Sequence, residues 1–114
     1  MEATAKARFQ RIAPRKARMV LNMVRGKNAA VALGELKFTR KAAAPIVAKL
    51  LDSAISNARV KDPSVDLDKL HIKLCFADKA PNSHMRRWRP RAQGRATQVV
   101  KGMSHITMII SDEA

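Results

Sequence analysis

The sequence predicts a single α+β domain of 114 residues that carries a long protruding β-hairpin. Two changes of rhythm along the chain support that reading. Between Pro14 and about Arg59 apolar residues recur at the spacing of one helical face, whereas from Leu70 they alternate with period two. A basic segment containing proline and glycine separates two alternating runs, which is the pattern of a hairpin.

The first element is a short strand in which Ala3, Ala5, Ala7 and Phe9 alternate with Thr4, Lys6 and Arg8. Alanine forms strands weakly, so this strand needs a partner. A first helix follows, because Pro14 suits an opening turn and Gly26 suits a stop. Ala17, Val20, Leu21 and Val24 make its buried stripe, while Arg15, Arg18, Asn22 and Arg25 form a basic ridge on another face. Asn28 is expected to cap a short second helix that buries Ala32, Leu33 and Leu36. Thr39 is expected to cap a third helix running to about Arg59. That helix turns Ala43, Ile46, Val47, Leu50, Ala54 and Ala58 inward, with Leu51 and Ile55 beside them. Pro45 lies inside this pattern and removes a backbone donor, so a kink or loosening of the first turns is expected. Asp62-Pro63-Ser64 ends the helical region.

In the first alternating run, Leu70, Ile72, Leu74 and Phe76 are expected on one face and His71, Lys73, Cys75 and Ala77 on the other. In the second, Val99 to Ile110, the side chains of Ile106, Met108 and Ile110 share a face. At roughly 3.3 Å per residue, the extended stretch from Leu70 to Met85 reaches about 50 Å. A compact chain of this length has a radius of gyration near ~13 Å and is about 35 Å across. The apolar alternation also fails after Ala80, so the distal part of the hairpin has nothing hydrophobic to pack on and should project as a finger.

That finger carries the densest chemistry in the chain. Met85 to Ala96 reads MRRWRPRAQGRA, with Arg86, Arg87, Arg89, Arg91 and Arg95 around a lone tryptophan, Trp88. Arginine presents a planar fork of donors that fits phosphate oxygens, and an indole adds a stacking face for unpaired bases. The net charge of +14 is distributed in blocks. Residues 1–41 hold eleven Lys/Arg against Glu2 and Glu35, residues 42–78 balance five against five, and residues 79–111 hold seven against none. A neutral middle between two basic blocks suggests a packed body with two polyanion contacts, and self-repulsion of this size favours a nucleic-acid partner.

Catalytic patterns are absent. His71, His84 and His105 lie apart without metal-ligand spacing, Cys75 stands alone, and Gly94 has no glycine-rich neighbours to cradle a phosphate. Asp62, Asp66 and Asp68 suit turn and capping roles. No enzyme, cofactor, metal or small-molecule substrate is therefore expected. A lone cysteine fits a reducing compartment, and with neither a secretory leader nor a membrane-length apolar run the expected location is the cytoplasm or an organelle interior. A helix-turn-helix DNA-binding protein is the alternative, with Arg25-Gly26-Lys27-Asn28 as its turn. Its recognition helix, Ala29 to Leu36, would offer Glu35 as its sole polar reader of base edges. A membrane-active basic protein lacks support, because the arginine block has no opposing apolar face.

Four segments in order resemble a known family. Arg11-Ile12-Ala13-Pro14-Arg15-Lys16-Ala17-Arg18, Val24-Arg25-Gly26-Lys27, Arg89-Pro90-Arg91-Ala92-Gln93-Gly94-Arg95-Ala96 and Ser104-His105-Ile106-Thr107 are similar to bacterial-type large ribosomal subunit protein twenty-two. The resemblance runs from about Ala5 to Ser111. It implies three helices packed on a three-stranded antiparallel sheet, bound to large-subunit ribosomal RNA and to neighbouring ribosomal proteins, with residues 79–101 as the hairpin finger. It further implies a role in assembly, and a hairpin tip lining the polypeptide exit tunnel beside the nascent polypeptide, where macrolide antibiotics bind nearby. The implied RNA-binding residues are Arg8, Arg11, Arg15, Lys16, Arg18, Arg25, Lys27, Lys41, Arg86, Arg87, Arg89, Arg91, Arg95 and Lys101. The implied tunnel-lining tip is Arg86, Arg87, Trp88, Arg89, Pro90 and Arg91. The chain departs from the family pattern at Ala13, usually serine, at Pro45, at Lys101-Gly102-Met103, and in the bulk of Trp88.

Overall fold

The computed structural model describes residues 1–81, 87–99 and 102–113. Strand β1 (Glu2–Gln10) leads into helices α1 (Pro14–Val24), α2 (Ala29–Phe38) and α3 (Ala44–Lys61). A 3-10 turn at Leu67–Lys69 then precedes strands β2 (His71–Lys79), β3 (Arg87–Pro90), β4 (Ala96–Val99) and β5 (Ser104–Ser111). The strands β1, β5 and β2 form one antiparallel sheet in that spatial order, and β3 pairs with β4 in a second antiparallel ladder. This is the expected fold class, three helices on a three-stranded sheet with a protruding hairpin.

Helix α1 follows from its sequence. Pro14 opens it, where the missing N–H would have been unpaired anyway, and Gly26 adopts φ +79° just past its end. Ala17, Val20, Leu21 and Val24 are fully buried. Asn28 caps α2 by accepting the Ala30 N–H through Oδ1 at 2.9 Å. Along α2, Ala29, Ala32 and Leu36 are buried and Leu33 is half-buried.

The start of the third helix differs from the sequence reading. Thr39 ends α2, donating its hydroxyl to the Glu35 carbonyl at 2.8 Å, and α3 begins only at Ala44. Pro45 therefore lies in the opening turn of α3, where it removes a donor that has no intrahelical partner, and no kink is needed. Val47, Leu50, Leu51, Ala54 and Ala58 form the inner face, which lies chiefly against β1. The small side chains of Ala3 and Ala5 on that strand let the helix approach closely. Each fully buried leucine or isoleucine in such a core is worth roughly 1.5–3 kcal/mol of transfer free energy.

Two β-bulges reassign faces that simple alternation misplaces. In β2 the register slips between Ile72 and Leu74, so Cys75 and Ala77 turn inward after Leu70 and Ile72; Ala80, just past the strand, is buried as well. Leu74 and Phe76, expected in the core, are 45% and 36% exposed. In β1 the register shifts between Ala7 and Gln10, and Phe9 leaves the alanine face for the outer surface at φ +55°. One extra residue in a strand inverts every later side chain, and spacing alone cannot reveal it. Ile106, Met108 and Ile110 on central β5 are buried as expected.

The β1–α1 turn is clamped to the start of β5. Ser104, itself buried, donates its hydroxyl to the Ile12 carbonyl at 2.6 Å. Gly102 lies under the turn so closely that an added Cβ would be 3.1 Å from the Ala13 Cα. The molecule measures 66 × 25 × 18 Å, with a radius of gyration of 17.3 Å. That radius exceeds the ~13 Å of a compact chain of this length, as a projecting hairpin requires.

Candidate nucleic-acid interface

The ridge on α1 is exposed as expected, but two of its arginines also serve the fold. Strand β2 lies at the sheet edge, where outward carbonyls need donors. Gly26 and Ala29 donate backbone N–H groups to the carbonyls of Ile72 and Leu70 at 3.1 and 2.9 Å, and Ile72 donates to the Lys27 carbonyl at 2.9 Å. Further along, Arg25 Nη2 donates to the Cys75 carbonyl at 2.8 Å and Arg18 Nε to the Ala77 carbonyl at 3.0 Å. Arg25 Nη1 also donates to Asn22 Oδ1 at 2.6 Å. Arg15 and Lys16, one turn earlier, are exposed.

The other body candidates fall into distinct settings. Lys16 and Lys41, far apart in sequence, line one shallow cleft with Ile12, Met19, Ala42 and Ala43. Lys27 forms an exposed ion pair with Glu35 at 2.7 Å, which partly neutralises it. Arg8 and Arg11 are exposed on and just beyond β1. The exposed side of α2 carries Ala30, Val31, Gly34, Lys37 and Phe38, so it offers almost no hydrogen-bonding groups for reading base edges.

In the hairpin, β3 and β4 pair from Arg87 with Val99 to Pro90 with Ala96. The ladder closes through residues 91–95, where the Arg91 N–H donates to the Arg95 carbonyl and both Gln93 and Gly94 adopt positive φ. Trp88, Arg89 and Pro90 thus lie on the strand that leads into the turn. Trp88 is 65% exposed, and Arg89, Arg91 and Arg95 are exposed as well. Arg87 has its backbone in β3, while Arg86 and Lys101 lie outside the described residues, as does His84.

Sequence spacing does not point to one further cationic region. Lys6 and Arg8 border a groove with Gln10, Pro45, Lys49, Leu50 and Ser53, between β1 and the start of α3. On the sheet's outer face the same two cations border a hollow with Phe9, His105 and Thr107. Lys6 alternates outward with Arg8 in the sequence, so its place was readable; Lys49 required knowledge of how α3 lies on β1.

Titrating groups in the body fit structural roles. Glu2 and Lys73 pair across the strand ends; this hydrogen bond holds the carboxyl below its usual range and the ammonium above its own. Burial pushes the Cys75 thiol up, against the opposing effect of Arg25, and its Sγ faces the Leu21 carbonyl at 3.7 Å. Asp62 and Asp66 accept backbone N–H groups of Ser64 and Asp68, the turn chemistry expected of them. Among the described residues no cluster of His, Cys, Asp and Glu forms a metal cage, and no helix is long and apolar enough to cross a membrane.

Comparison with known proteins adds a family to this geometry. The family model described as Ribosomal protein L22p/L17e matches residues 5–111. The Large ribosomal subunit protein uL22 of Sorangium cellulosum is 47% identical over 112 residues, covering 98% of this chain and 98% of that protein. The protein of the same name from Staphylococcus aureus (strain JH9) is 49% identical over 112 residues, covering 98% of this chain and 93% of its own length.

Proposed function

The chain belongs to the family Ribosomal protein L22p/L17e and is a structural constituent of the large ribosomal subunit, not an enzyme; on that premise we propose how its two basic regions divide the work. The body grips large-subunit ribosomal RNA through Arg8, Arg11, Arg15, Lys16 and Lys41, with Arg18, Arg25 and Lys27 adding charge while they brace the fold. The hairpin grips a second RNA segment through the arginines of residues 86–95 and Lys101. Bridging distant segments in this way stabilises a compact RNA fold during assembly. The distal turn, with Trp88 and Arg89 to Arg91, lines the exit tunnel of the cytoplasmic ribosome and meets the nascent polypeptide, near where macrolides bind. Neighbouring large-subunit proteins complete its partners.

The observation that carries this reading is the separation of cations. Exposed Lys and Arg gather around β1 and α1, and again on a distal β3–β4 ladder of a molecule 66 Å long. Phosphate contacts at two such distant places make affinity steeply salt-dependent.

The test exploits the hairpin's independence from the core. Ala80 donates its N–H to the Met103 carbonyl at 2.9 Å, so replacing residues 81–101 with one Asn leaves Asn and Gly102 to form a tight turn there. The shortened chain is expected to fold and to enter large subunits through its body. Ribosomes carrying it should differ from those with the full chain in their response to a stalling peptide and to a macrolide. Normal incorporation with identical responses would refute the tunnel role.

A further inference from the structure

Phe9 is set in an unusual way for a strand residue. Its backbone takes φ +55°, a left-handed conformation unfavourable for a bulky side chain, at the bulge that turns it away from the alanine face. The ring stands at 90° to that of His105 with centroids 4.7 Å apart, and 54% of the residue remains exposed. The Phe9 N–H donates to His105 Nδ1 at 3.1 Å. With Nδ1 accepting, the His105 ring is left with Nε2–H as its donor. Lys6, Arg8 and Thr107 border the same hollow; among the described residues none that lines it or the adjoining groove that holds Lys49 is acidic, although Asp78 stands opposite His105 across the β2–β5 ladder.

We propose that this open face of the sheet holds an unpaired RNA nucleotide, its base stacked on Phe9 and its flanking phosphates met by Lys6 and Arg8. The proposal rests on the reading of the chain as an RNA-binding protein and adds a nucleotide site on the body that its charge alone does not specify. Two features select this occupant. Lys6 and Arg8, on the β1 side of the hollow away from Asp78, complement phosphate, and a flat exposed ring gains most from a flat partner. Paired RNA keeps its base faces stacked inside the helix, so only a looped or bulged base offers one. An acidic peptide would satisfy Lys6 and Arg8 but would leave the Phe9 ring without a stacking partner.

Binding of the full chain to purified large-subunit ribosomal RNA, measured across a salt series, separates the contributions. Phe9→Ala should weaken binding on the order of tenfold while the salt slope stays the same, because no charge is lost. Phe9→Tyr should retain the affinity. Arg8→Ala should instead lower the salt slope by about one. Unchanged affinity in Phe9→Ala, in a protein that still loses binding when Arg89, Arg91 and Arg95 are replaced, would overturn the nucleotide site and leave the RNA-binding reading intact. A full chain with no preference for ribosomal RNA over duplex DNA would overturn both. Ultraviolet crosslinking of the unaltered chain within assembled large subunits decides the matter without a variant. A nucleotide adduct on Phe9 or His105 is expected; adducts confined to other residues, or a protein crosslink at Phe9, would refute the proposal.

Discussion

Arg25 of helix α1 donates through Nη2 to the carbonyl oxygen of Cys75, 2.8 Å away on the edge strand β2. Arg18 makes the equivalent bond to Ala77 two helical turns earlier. A ridge that reads from the sequence as an RNA-facing surface therefore also braces the sheet edge. Arg25→Ala and Arg18→Ala should each lower stability by about 0.5–1.5 kcal/mol, as loss of a hydrogen bond does. Arg15→Ala should leave stability unchanged and lower only the salt slope of RNA binding. Urea denaturation and a salt titration on the same variants check this division.

Leu51 is fully buried and Leu50 nearly so, at the level where α3 lies on the sheet. Leu51→Ala should cost roughly 2–5 kcal/mol, and Leu50→Ala an amount at the lower end of that range. A loss below about half a kcal/mol at Leu51 in chemical denaturation would mean that the inner face of α3 is misassigned.

The entry to α1 offers a gain and a loss at neighbouring positions. Ala13 has extended cap geometry, φ −64° and ψ 139°, but no side-chain acceptor. Ala13→Ser should supply one and stabilise the protein by about 0.5–1 kcal/mol, seen as a melting temperature higher by a few degrees. Gly102→Ala places a methyl group against the Ala13 backbone and should destabilise by roughly 1–3 kcal/mol.

The buried thiol of Cys75 has a pKa raised by burial above its ordinary value of 9.0. It should react slowly with iodoacetamide in the native protein and rapidly in urea. Its contribution to stability is fully present below the pKa of the unfolded thiol and is lost as pH rises towards the folded value. Cys75→Ala should therefore flatten the alkaline decline in stability, measured by denaturation between pH about 8 and about 10.

Much of this architecture is legible in the sequence because it follows local rules. Pro14 and Gly26 bracket α1, Asn28 caps α2, and Ile106, Met108 and Ile110 mark the inner face of β5. Failures cluster where one residue is inserted or one cap has two uses. The bulges at Ile72/Leu74 and Ala7/Gln10 invert alternation without a glycine or proline to announce them. Thr39 has the side chain of an N-cap, yet it turns back to close α2. The arginine finger stood out by composition. The Phe9–His105 pair did not, because it joins residues 96 positions apart through a backbone bond that no spacing encodes.

The strand order has a consequence for synthesis. Within the sheet, β1 has β5 as its only neighbour, with Glu2 opposite Ser111, so the earliest strand to emerge waits for the latest. At about 5–20 residues per second, the chain between them takes on the order of 5–20 s to make. Through that interval β1 and β2 share no partner, since β5 alone joins them. The sheet is therefore closed in a single late event across a loop of nearly the whole chain, a topology that slows folding. Products terminated before Ser104 lack the central strand and cannot form this sheet, so the fold itself distinguishes a completed chain from an aborted one.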